Sequence, residues 1–108
     1  MYIRGGYNVY PIEVENCLGE HPDVAATAVL GVRVEDRIGE IGVVFVVPRP
    51  GNRPDIGELR AFVKDRIASY KAPDALVLVD ELPLTSLGKI DKRALLERAE
   101  KEAATWSR

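Results

Sequence analysis

Apolar residues fall into short runs along the chain, separated by glycine, proline or charged residues, and several runs have the composition of strands. Gly5-Gly6 is a tight-turn signal, so two short extended pieces are predicted on either side of it. Small and β-branched residues dominate two longer runs, which favours strands that pair as a hairpin through a long connection. The predicted strands are residues 2–4, 7–9, 24–32, 42–48 and 76–79.

Helical spacing of apolar residues predicts three helices. Pro11 suits the first turn of the first helix, because the N–H that proline lacks would have no acceptor within the helix at that position. Pro22 ends that segment. Asp55 and Glu58 resemble a capping box, and Asp91 can cap the last helix. The second helix is expected to reach residue 70, residues 33–40 to form a polar loop and residues 100–108 to fray. The predicted apolar faces are Val14, Cys17 and Leu18, then Leu59, Phe62, Val63 and Ile67, then Leu95, Leu96 and Ala99.

The order of these elements predicts the fold. A β-hairpin, a helix, two strands, a helix, a strand and a helix indicate an α+β fold, a two-layer sandwich with three helices on a small, mostly antiparallel sheet. The length of 108 residues fits a single domain over residues 1–108. At 46% hydrophobic residues the chain can form a small core, so we expect modest stability.

Charge and cysteine content exclude several classes of function. The chain has 15 basic and 17 acidic residues without an arginine–lysine stripe, so it is not expected to bind nucleic acid. The lone cysteine, Cys17, cannot form an internal disulfide and suits a reducing cytoplasm. The apolar runs are too short to span a bilayer and the first residues lack the features of a signal peptide. We therefore predict a cytoplasmic location and no transmembrane segment.

The segment PLTSLGKIDK, residues 83–92, holds the strongest candidate for chemistry. Lys89 follows Gly88 in a predicted loop, and a lysine so placed can bring its ammonium onto a phosphate or carboxylate oxygen. Pro83 and Thr85 serve the same loop, and Gly88 permits dihedral angles that other residues avoid. Taken alone, the segment equally describes an ordinary turn with a solvated surface lysine.

Other charged residues are better explained by local structure. Glu13 and Glu15 follow the start of the first helix, where the helix dipole and solvation account for them. Lys92 and Arg93 lie at a helix start, where positive charge is mildly unfavourable. Facing a phosphate is one interpretation of the two residues, and a solvated face is the one we prefer.

The remaining reactive side chains do not indicate a metal site or a nucleophile. Cys17 lies on an apolar helix face and is expected to be a small buried hydrophobe. His21 stands before Pro22 at a helix end, which fits a local cap, and no cysteine–histidine cluster has zinc spacing. Trp106, in the tail, either packs on a partner or is loose.

Four motifs resemble, in order, those of the C-terminal domain of the acyl-CoA synthetase, or adenylate-forming, superfamily. RGGYNVYPIEVE, residues 4–15, matches the start of that domain, and HPDV, residues 21–24, follows it. SYKAP, residues 69–73, and Pro-x-Thr-x-x-Gly-Lys-Ile, residues 83–90, match further along. The resemblance covers nearly the whole chain, and Asn-Val-Tyr-Pro at residues 8–11 favours acyl-CoA ligases over peptide-synthetase adenylation domains.

The resemblance implies roles for residues at both ends of the chain. Lys89 matches the catalytic lysine of acyl-adenylate formation, in which a carboxylate attacks the α-phosphate of ATP and pyrophosphate leaves. Gly88 belongs to the same cofactor-binding loop. Gly5 and Gly6 match the turn that lines the CoA pantetheine tunnel, where a side chain would block close approach. Arg4 is the nearest candidate for a CoA contact, since the lysine that other branches place nearby is replaced by isoleucine here.

Most of the family's ATP-binding machinery lies outside this sequence. The phosphate loop of the form TSGTTGxPKG is absent, and Met1 stands about where the hinge aspartate would be. We therefore expect a piece cut at the hinge or a stand-alone remnant, inactive without the N-terminal ATP- and acyl-binding domain. In the whole enzyme the resemblance implies ATP or AMP, Mg²⁺ and CoA as cofactors and a carboxylic acid as substrate, none held tightly by this chain.

The predicted function is the mobile C-terminal domain of a fatty-acid or aryl-acid CoA ligase. The resemblance implies two successive poses, one that brings Lys89 to ATP and one that brings the Gly5-Gly6 turn to CoA. Two alternatives stay open: a stand-alone, non-catalytic interaction module, and an adenylation domain that feeds a carrier protein. An upstream reading frame encoding the phosphate loop would separate the ligase from the interaction module.

Overall fold

The computed structural model describes residues 1–34 and 39–106, and its elements follow the predicted order. Part of the predicted loop at 33–40 and the last two residues of the predicted frayed tail lie outside the described residues. Within the described ranges, no helix combines the length and apolar character needed to cross a bilayer. The elements are β1 (Tyr2–Arg4), β2 (Tyr7–Val9), α1 (Pro11–Leu18), β3 (Val24–Arg33), β4 (Glu40–Pro48), α2 (Ile56–Arg66), a 3₁₀ turn (Ser69–Lys71), β5 (Ala75–Leu78) and α3 (Lys92–Thr105).

Strands β3, β4 and β5 form one sheet, with β4 in the middle. β3 and β4 are antiparallel, as the predicted hairpin requires, and Gly31 lies opposite Gly42 in their register. β5 runs parallel to β4, because the chain crosses over through α2 before it re-enters the sheet. The β1–β2 hairpin forms a second, antiparallel sheet. Three helices with these small sheets confirm the α+β class.

The three-stranded sheet is buried on both faces. Val44 and Val46 share a core with residues of α1, α2 and the hairpin, whereas Val43 and Phe45 share another with residues of α3. Successive side chains of a strand point to opposite faces, so β4 contributes to both cores. Its near-continuous apolar run follows from this position, because a covered central strand has no polar face. The sequence pattern did not reveal this division of the helices.

Glycines in the sheet make room for the β1–β2 hairpin. The Tyr2 side chain, 2% exposed, lies over Gly31 and Gly42, where a Cβ added to either glycine would collide with it. At Gly39, whose φ is +93°, an added Cβ would collide with the backbone of β1. A two-stranded hairpin is marginally stable alone, so this docking holds the base of the hairpin and orients the Gly5-Gly6 turn.

The predicted helix starts are confirmed. Pro11 is the first residue of α1. Asp55 caps α2 by accepting the backbone N–H of Glu58 at 2.8 Å, and Asp91 caps α3 by accepting that of Ala94 at 3.3 Å. Each cap satisfies a backbone donor that has no partner within its helix.

Three predictions about the helices are wrong. Helix α2 ends at Arg66 rather than at residue 70, because Ile67 adopts an extended conformation and a 3₁₀ turn follows. Leu96 is 42% exposed, because the buried face of α3 consists of Leu95, Ala99 and Ala103, at intervals of four residues. The helix continues to Thr105 instead of fraying, and Trp106 packs against the core on the α3 side of the sheet.

Candidate functional site

Lys89 lies in a short, closed loop between β5 and α3. The backbone N–H of Thr85 donates to the carbonyl of Lys89 at 2.7 Å. The N–H of Asp91 donates to the carbonyl of Pro83 at 2.8 Å, one step closer to the base of the loop. These bonds flank an antiparallel bridge, so the loop is a small hairpin with a defined shape.

The side chain of Thr85 organises the tip of this loop. Its Oγ1 accepts the backbone N–H groups of Leu87 and Lys89, each at 3.3 Å, and its carbonyl accepts the N–H of Gly88 at 2.9 Å. Gly88 has φ +83°, a conformation that favours glycine. Thr85 and Gly88 therefore serve the loop as predicted, one through its hydroxyl and the other through its backbone.

The loop presents an exposed cation beside apolar side chains. Lys89 is exposed, and Leu84 and Leu87 nearby are 63% and 84% exposed. Among the residues that the structure describes, no carboxylate lies within ion-pair distance of the Lys89 ammonium. An ammonium in this state can meet a phosphate or carboxylate without first breaking an internal pair.

Gly5 and Gly6 form the tip of the β1–β2 hairpin. Their φ values are +56° and +89°, and two consecutive positive values are typical of the type I′ hairpin turn. A Cβ added at either position would meet nothing within 4 Å. The turn therefore needs glycine for its conformation, and its backbone is open to close approach from outside the chain.

Arg4, at the base of this turn, forms a forked ion pair with Asp74. Its Nη2 lies 2.6 Å from Oδ1, and its Nε lies 3.0 Å from Oδ1 and 2.9 Å from Oδ2. The hydrogen bond to Asp74 raises the pKa of the Arg4 guanidinium, while partial burial opposes that rise. The Asp74 side chain is 1% exposed and also accepts the backbone N–H of Gly42 at 2.9 Å. Arg60 approaches the same carboxylate at 3.5 Å.

Sequence reasoning missed Asp74. Asp74 directly follows the SYKAP motif and precedes an apolar strand. A carboxylate at the start of a buried strand indicates that a cation lies nearby, because a buried charge is costly without a partner. The structure gives Arg4 this internal partner, and its predicted contact with CoA stays a prediction.

Aromatic and charged side chains cover one side of the turn. The rings of Tyr7 and Tyr70 stack with centroids 4.6 Å apart and planes inclined by 25°. Lys71 lies 5.6 Å from the Tyr70 ring centroid and 2.6 Å from a carboxylate oxygen of Glu13, and the hydrogen bond to Glu13 raises the pKa of Lys71. Glu13 is thus paired across the surface rather than only solvated.

The two predicted surfaces have no direct polar contact with each other among the described residues. Across residues 1–34 and 39–106, no hydrogen bond or ion pair joins the Gly5-Gly6 turn to the loop.

The helix that follows the lysine loop is anchored at its start by Lys92. The solvated face expected for Lys92 is wrong, because its Nζ lies 2.7 Å from Glu15 Oε2 and 3.1 Å from the carbonyl oxygen of Val29.

His21 and Cys17 have the structural roles that were predicted. His21 Nδ1 accepts the backbone N–H of Asp23 at 3.0 Å, which is the expected local cap, and its ring packs edge-on against Phe62. Cys17 is buried, and this burial raises the pKa of its thiol.

One group of possible metal ligands was not visible in the sequence. The structure brings ligand atoms of His21, Asp23 and Glu58 within 4.8 Å of one another. Because His21 Nδ1 already accepts a backbone N–H, we assign no cation to this group. The expected absence of a metal site stays a prediction.

The sequence matches a family model described as the AMP-binding enzyme C-terminal domain, over residues 13–89. It is 50% identical to an indoleacetate–CoA ligase of Aromatoleum aromaticum over 92 residues, which are 85% of this chain and 18% of that protein. It is 47% identical to a feruloyl-CoA synthase of an Amycolatopsis species over 98 residues, 91% of this chain and 20% of that protein. The chain therefore spans about a fifth of the length of the curated relatives it matches.

Solved structures of longer proteins contain the same fold. The amide bond synthetase McbA from Marinactinospora thermotolerans superposes with a TM-score of 0.80 at 41% identity, over 87% of this chain and 19% of that one. An acyl-CoA synthetase from Brucella canis gives a TM-score of 0.81 at 33% identity, over 96% of this chain and 19% of that one. In each case the match is to one small part of a much larger molecule.

Proposed function

The chain belongs to the AMP-binding enzyme C-terminal domain family, and we propose that it is the mobile C-terminal domain of an acid–CoA ligase. The observation that carries the proposal is the exposed Lys89, held on a closed loop without an internal acidic partner among the described residues. Relatives named as CoA ligases support the reaction class, and the carboxylic acid would be selected by a pocket of the N-terminal domain.

In the first half-reaction, an oxygen of the substrate carboxylate attacks the α-phosphorus of ATP. The new bond gives an acyl-adenylate, and the bond to the β-phosphate oxygen breaks to release pyrophosphate. Carboxylate and phosphate repel each other, and negative charge develops on the transferring phosphoryl oxygens. The Lys89 ammonium would lie against these oxygens, where a fixed positive charge stabilises the transition state more than the separated reactants.

In the second half-reaction, the thiol sulfur of CoA attacks the acyl carbonyl and AMP leaves. We propose that this step uses the other surface of the domain. The open backbone of Gly5 and Gly6 would pack along the pantetheine arm, which bulky side chains would obstruct. Arg4 lies on the same side, and we place it among the CoA-side residues.

The partner in both steps is an N-terminal domain that holds ATP and the acid. Such a partner accounts for the exposed Leu84 and Leu87 beside Lys89, since exposed apolar side chains near a functional loop are typical of a surface that docks. Mg²⁺ would accompany the ATP phosphates, and no residue of this chain is assigned to it. We also propose a cytoplasmic location, which rests on the single unpaired cysteine, Cys17.

An amine is the second candidate acceptor for the acyl group. The similarity to an amide bond synthetase, 41% over most of this chain, favours considering it. We prefer the CoA thiol, because several relatives that cover most of this chain are named as CoA ligases.

The proposal is tested by joining this chain to the N-terminal domain of a close relative and measuring acyl-AMP formation. The joined protein should form acyl-AMP faster than the N-terminal domain alone. Lys89→Ala should lose about a hundredfold or more of that rate, the effect of removing one preorganised electrostatic group. Lys101→Ala, which removes an exposed lysine of α3, should leave it unchanged. Equal rates for these two variants would refute the assignment.

A further inference from the structure

We propose that Asp74 is a positioning residue for the Gly5-Gly6 turn and that it acts through Arg4. The structural part, that the Arg4–Asp74 pair holds the turn in position, involves described residues only. Its catalytic consequence rests on the proposed function, since only a ligase would use the turn to meet CoA.

Besides the Arg4–Asp74 pair, the hairpin is held by the stacking of Tyr7 on Tyr70, by an antiparallel bridge between Arg4 and Gly39, and by a hydrogen bond from the backbone N–H of Ile3 to Glu40. β1 and β2 are three residues each, and the Arg4–Tyr7 pair is the last before the turn. Tyr2 anchors the base of the hairpin, at the far end from the glycines. A hairpin this short is marginally stable in isolation, so the contacts next to the turn limit how far its tip can move, and the Arg4–Asp74 pair is the charged one among them.

Asp74 supplies a rigid anchor for that contact. Its carboxylate is almost fully buried and accepts hydrogen bonds from Arg4 and from the backbone of Gly42. Its backbone is fixed as well, because its N–H donates to the carbonyl of Gly42 at 2.8 Å and its carbonyl accepts the indole N–H of Trp106 at 3.1 Å. A forked guanidinium–carboxylate pair fixes direction as well as distance. The orientation of the Arg4 side chain is therefore set by the sheet.

The same anchor connects the turn to the helix behind Lys89. Trp106 follows the last residue of α3, and α3 begins three residues after Lys89. Asp74 thus joins the base of the turn to one end of a helix whose other end carries the lysine loop. This arrangement connects the two surfaces through one residue, as we expect of a domain that presents them in turn.

Backbone dynamics of the 108-residue chain test the structural part. We expect Asp74→Asn to lower the ¹⁵N order parameters of Gly5 and Gly6, while those of the Lys89 loop stay as in the wild type. Arg4→Gln should do the same, and it alters a side chain that is 31% exposed, so it keeps the test valid if Asp74→Asn does not fold. Arg60→Gln removes the other cation near Asp74 and should leave the turn ordered. Unchanged order at Gly5 and Gly6 in Arg4→Gln would overturn the proposal.

Two thiol acceptors test the catalytic part in the joined enzyme supplied with preformed acyl-AMP. CoA carries phosphates and pantetheine carries none, so a residue that binds a CoA phosphate matters for CoA alone. Misplacement of the turn should slow thioester formation with both thiols. We expect Asp74→Asn and Arg4→Gln each to lower kcat/KM about tenfold with CoA and with pantetheine. Acyl-AMP formation should be unaffected.

The outcomes separate the two claims. If Arg4→Gln lowered kcat/KM with CoA but not with pantetheine, and Asp74→Asn lowered neither, Arg4 would be a direct phosphate contact. That result would overturn the positioning role. A joined wild-type enzyme that forms neither acyl-AMP nor thioester would contradict the proposed function, and the order parameters would still decide the role of Asp74.

Discussion

Glu15 and Lys92 form an ion pair across the free edge of strand β3, with 2.7 Å between Oε2 and Nζ. The Glu15 carboxylate also accepts the backbone N–H of Val29 at 2.8 Å, and Lys92 donates to the carbonyl of the same residue at 3.1 Å. Together they satisfy both backbone groups of one edge residue, groups that would otherwise be open to pairing with another strand. The pair also fixes the start of α3, directly behind the Lys89 loop.

This pair predicts an uneven loss of stability. Glu15→Ala should lower the free energy of unfolding by about 2 kcal/mol, because it leaves a partly buried N–H without a partner. Lys92→Ala should cost less, about 1 kcal/mol, since its side chain is 40% exposed and the remaining groups can be solvated. The double variant should cost less than the sum of the two, as expected for residues in contact. Urea denaturation measures all three values.

Glu13→Ala is the matched control for that experiment. Glu13 lies two residues earlier on the same helix and pairs with Lys71 at 2.6 Å, and the exposures of the two side chains, 40% and 18%, equal those of Lys92 and Glu15. Unlike Glu15, Glu13 accepts no strand N–H among the described residues, so we expect little change in stability from the loss of a partly exposed ion pair alone. If Glu13→Ala destabilises the protein as much as Glu15→Ala, the contact with Val29 is not the cause.

The backbone of Gly88 predicts a selective effect on adenylation. Gly88 and Gly51 have nearly the same φ, +83° and +84°, and a Cβ added to either meets nothing within 4 Å. Alanine at either position should therefore cost about 1 to 2 kcal/mol through backbone strain alone. Only Gly88→Ala should also lower the rate of acyl-AMP formation by the joined enzyme, because only that loop carries Lys89. A similar loss of rate in both variants would point to general destabilisation instead.

Tyr2 predicts how stability depends on alkaline pH. Burial, reinforced by the nearby Asp74 charge, raises the pKa of the Tyr2 hydroxyl above its ordinary value of 10.0. The folded protein then keeps this proton where the unfolded chain loses it. Its contribution to stability is complete below about pH 10 and declines as the pH rises above that value. Tyr2→Phe should therefore lose less stability than the wild type between about pH 9 and about pH 11.

The hydroxyl of Tyr2 gives the same variant a second readout. Among the described residues this buried group has no hydrogen-bond partner, so Tyr2→Phe should match or exceed the wild type in stability at neutral pH, by up to about 1 kcal/mol. Tyr10→Phe, at a side chain that is 51% exposed, serves as the control and should follow the wild-type pH profile. Parallel profiles for all three proteins would contradict the effect of burial.

Local features of the fold could be predicted from the sequence, and contacts between distant residues could not. The caps at Asp55 and Asp91 depend on residues three positions away, so their patterns are visible in the sequence. The Arg4–Asp74 pair joins residues 70 positions apart, and nothing near Arg4 indicates its partner. The prediction that the tail frays failed for the same reason, because Trp106 is held by a contact with Asp74. Tertiary contacts decided these points, and local propensity does not report them.

The motifs at the two ends of the chain identified the candidate surfaces, and the structure added how each is supported. The shape of the lysine loop follows from Thr85 and Gly88, both of which lie within the motif. The support of the glycine turn comes from Asp74 and from Gly31 and Gly42 in the sheet, which lie outside it. Sequence motifs therefore described the loop more fully than the turn.

The central claim is that one small domain serves the two half-reactions with different surfaces. The most direct test measures acyl-AMP formation and thioester formation from preformed acyl-AMP in the joined enzyme, for Lys89→Ala, Gly6→Trp and Gly6→Ala. Gly6→Ala controls for backbone strain at φ +89°, because a Cβ at this position meets nothing within 4 Å of it in this chain, and we expect the further bulk of tryptophan to act when CoA approaches. We predict that Lys89→Ala loses the first step and keeps the second. Gly6→Trp should show the reverse pattern and exceed the effect of Gly6→Ala. Equal loss of both steps in Lys89→Ala and in Gly6→Trp would contradict the account.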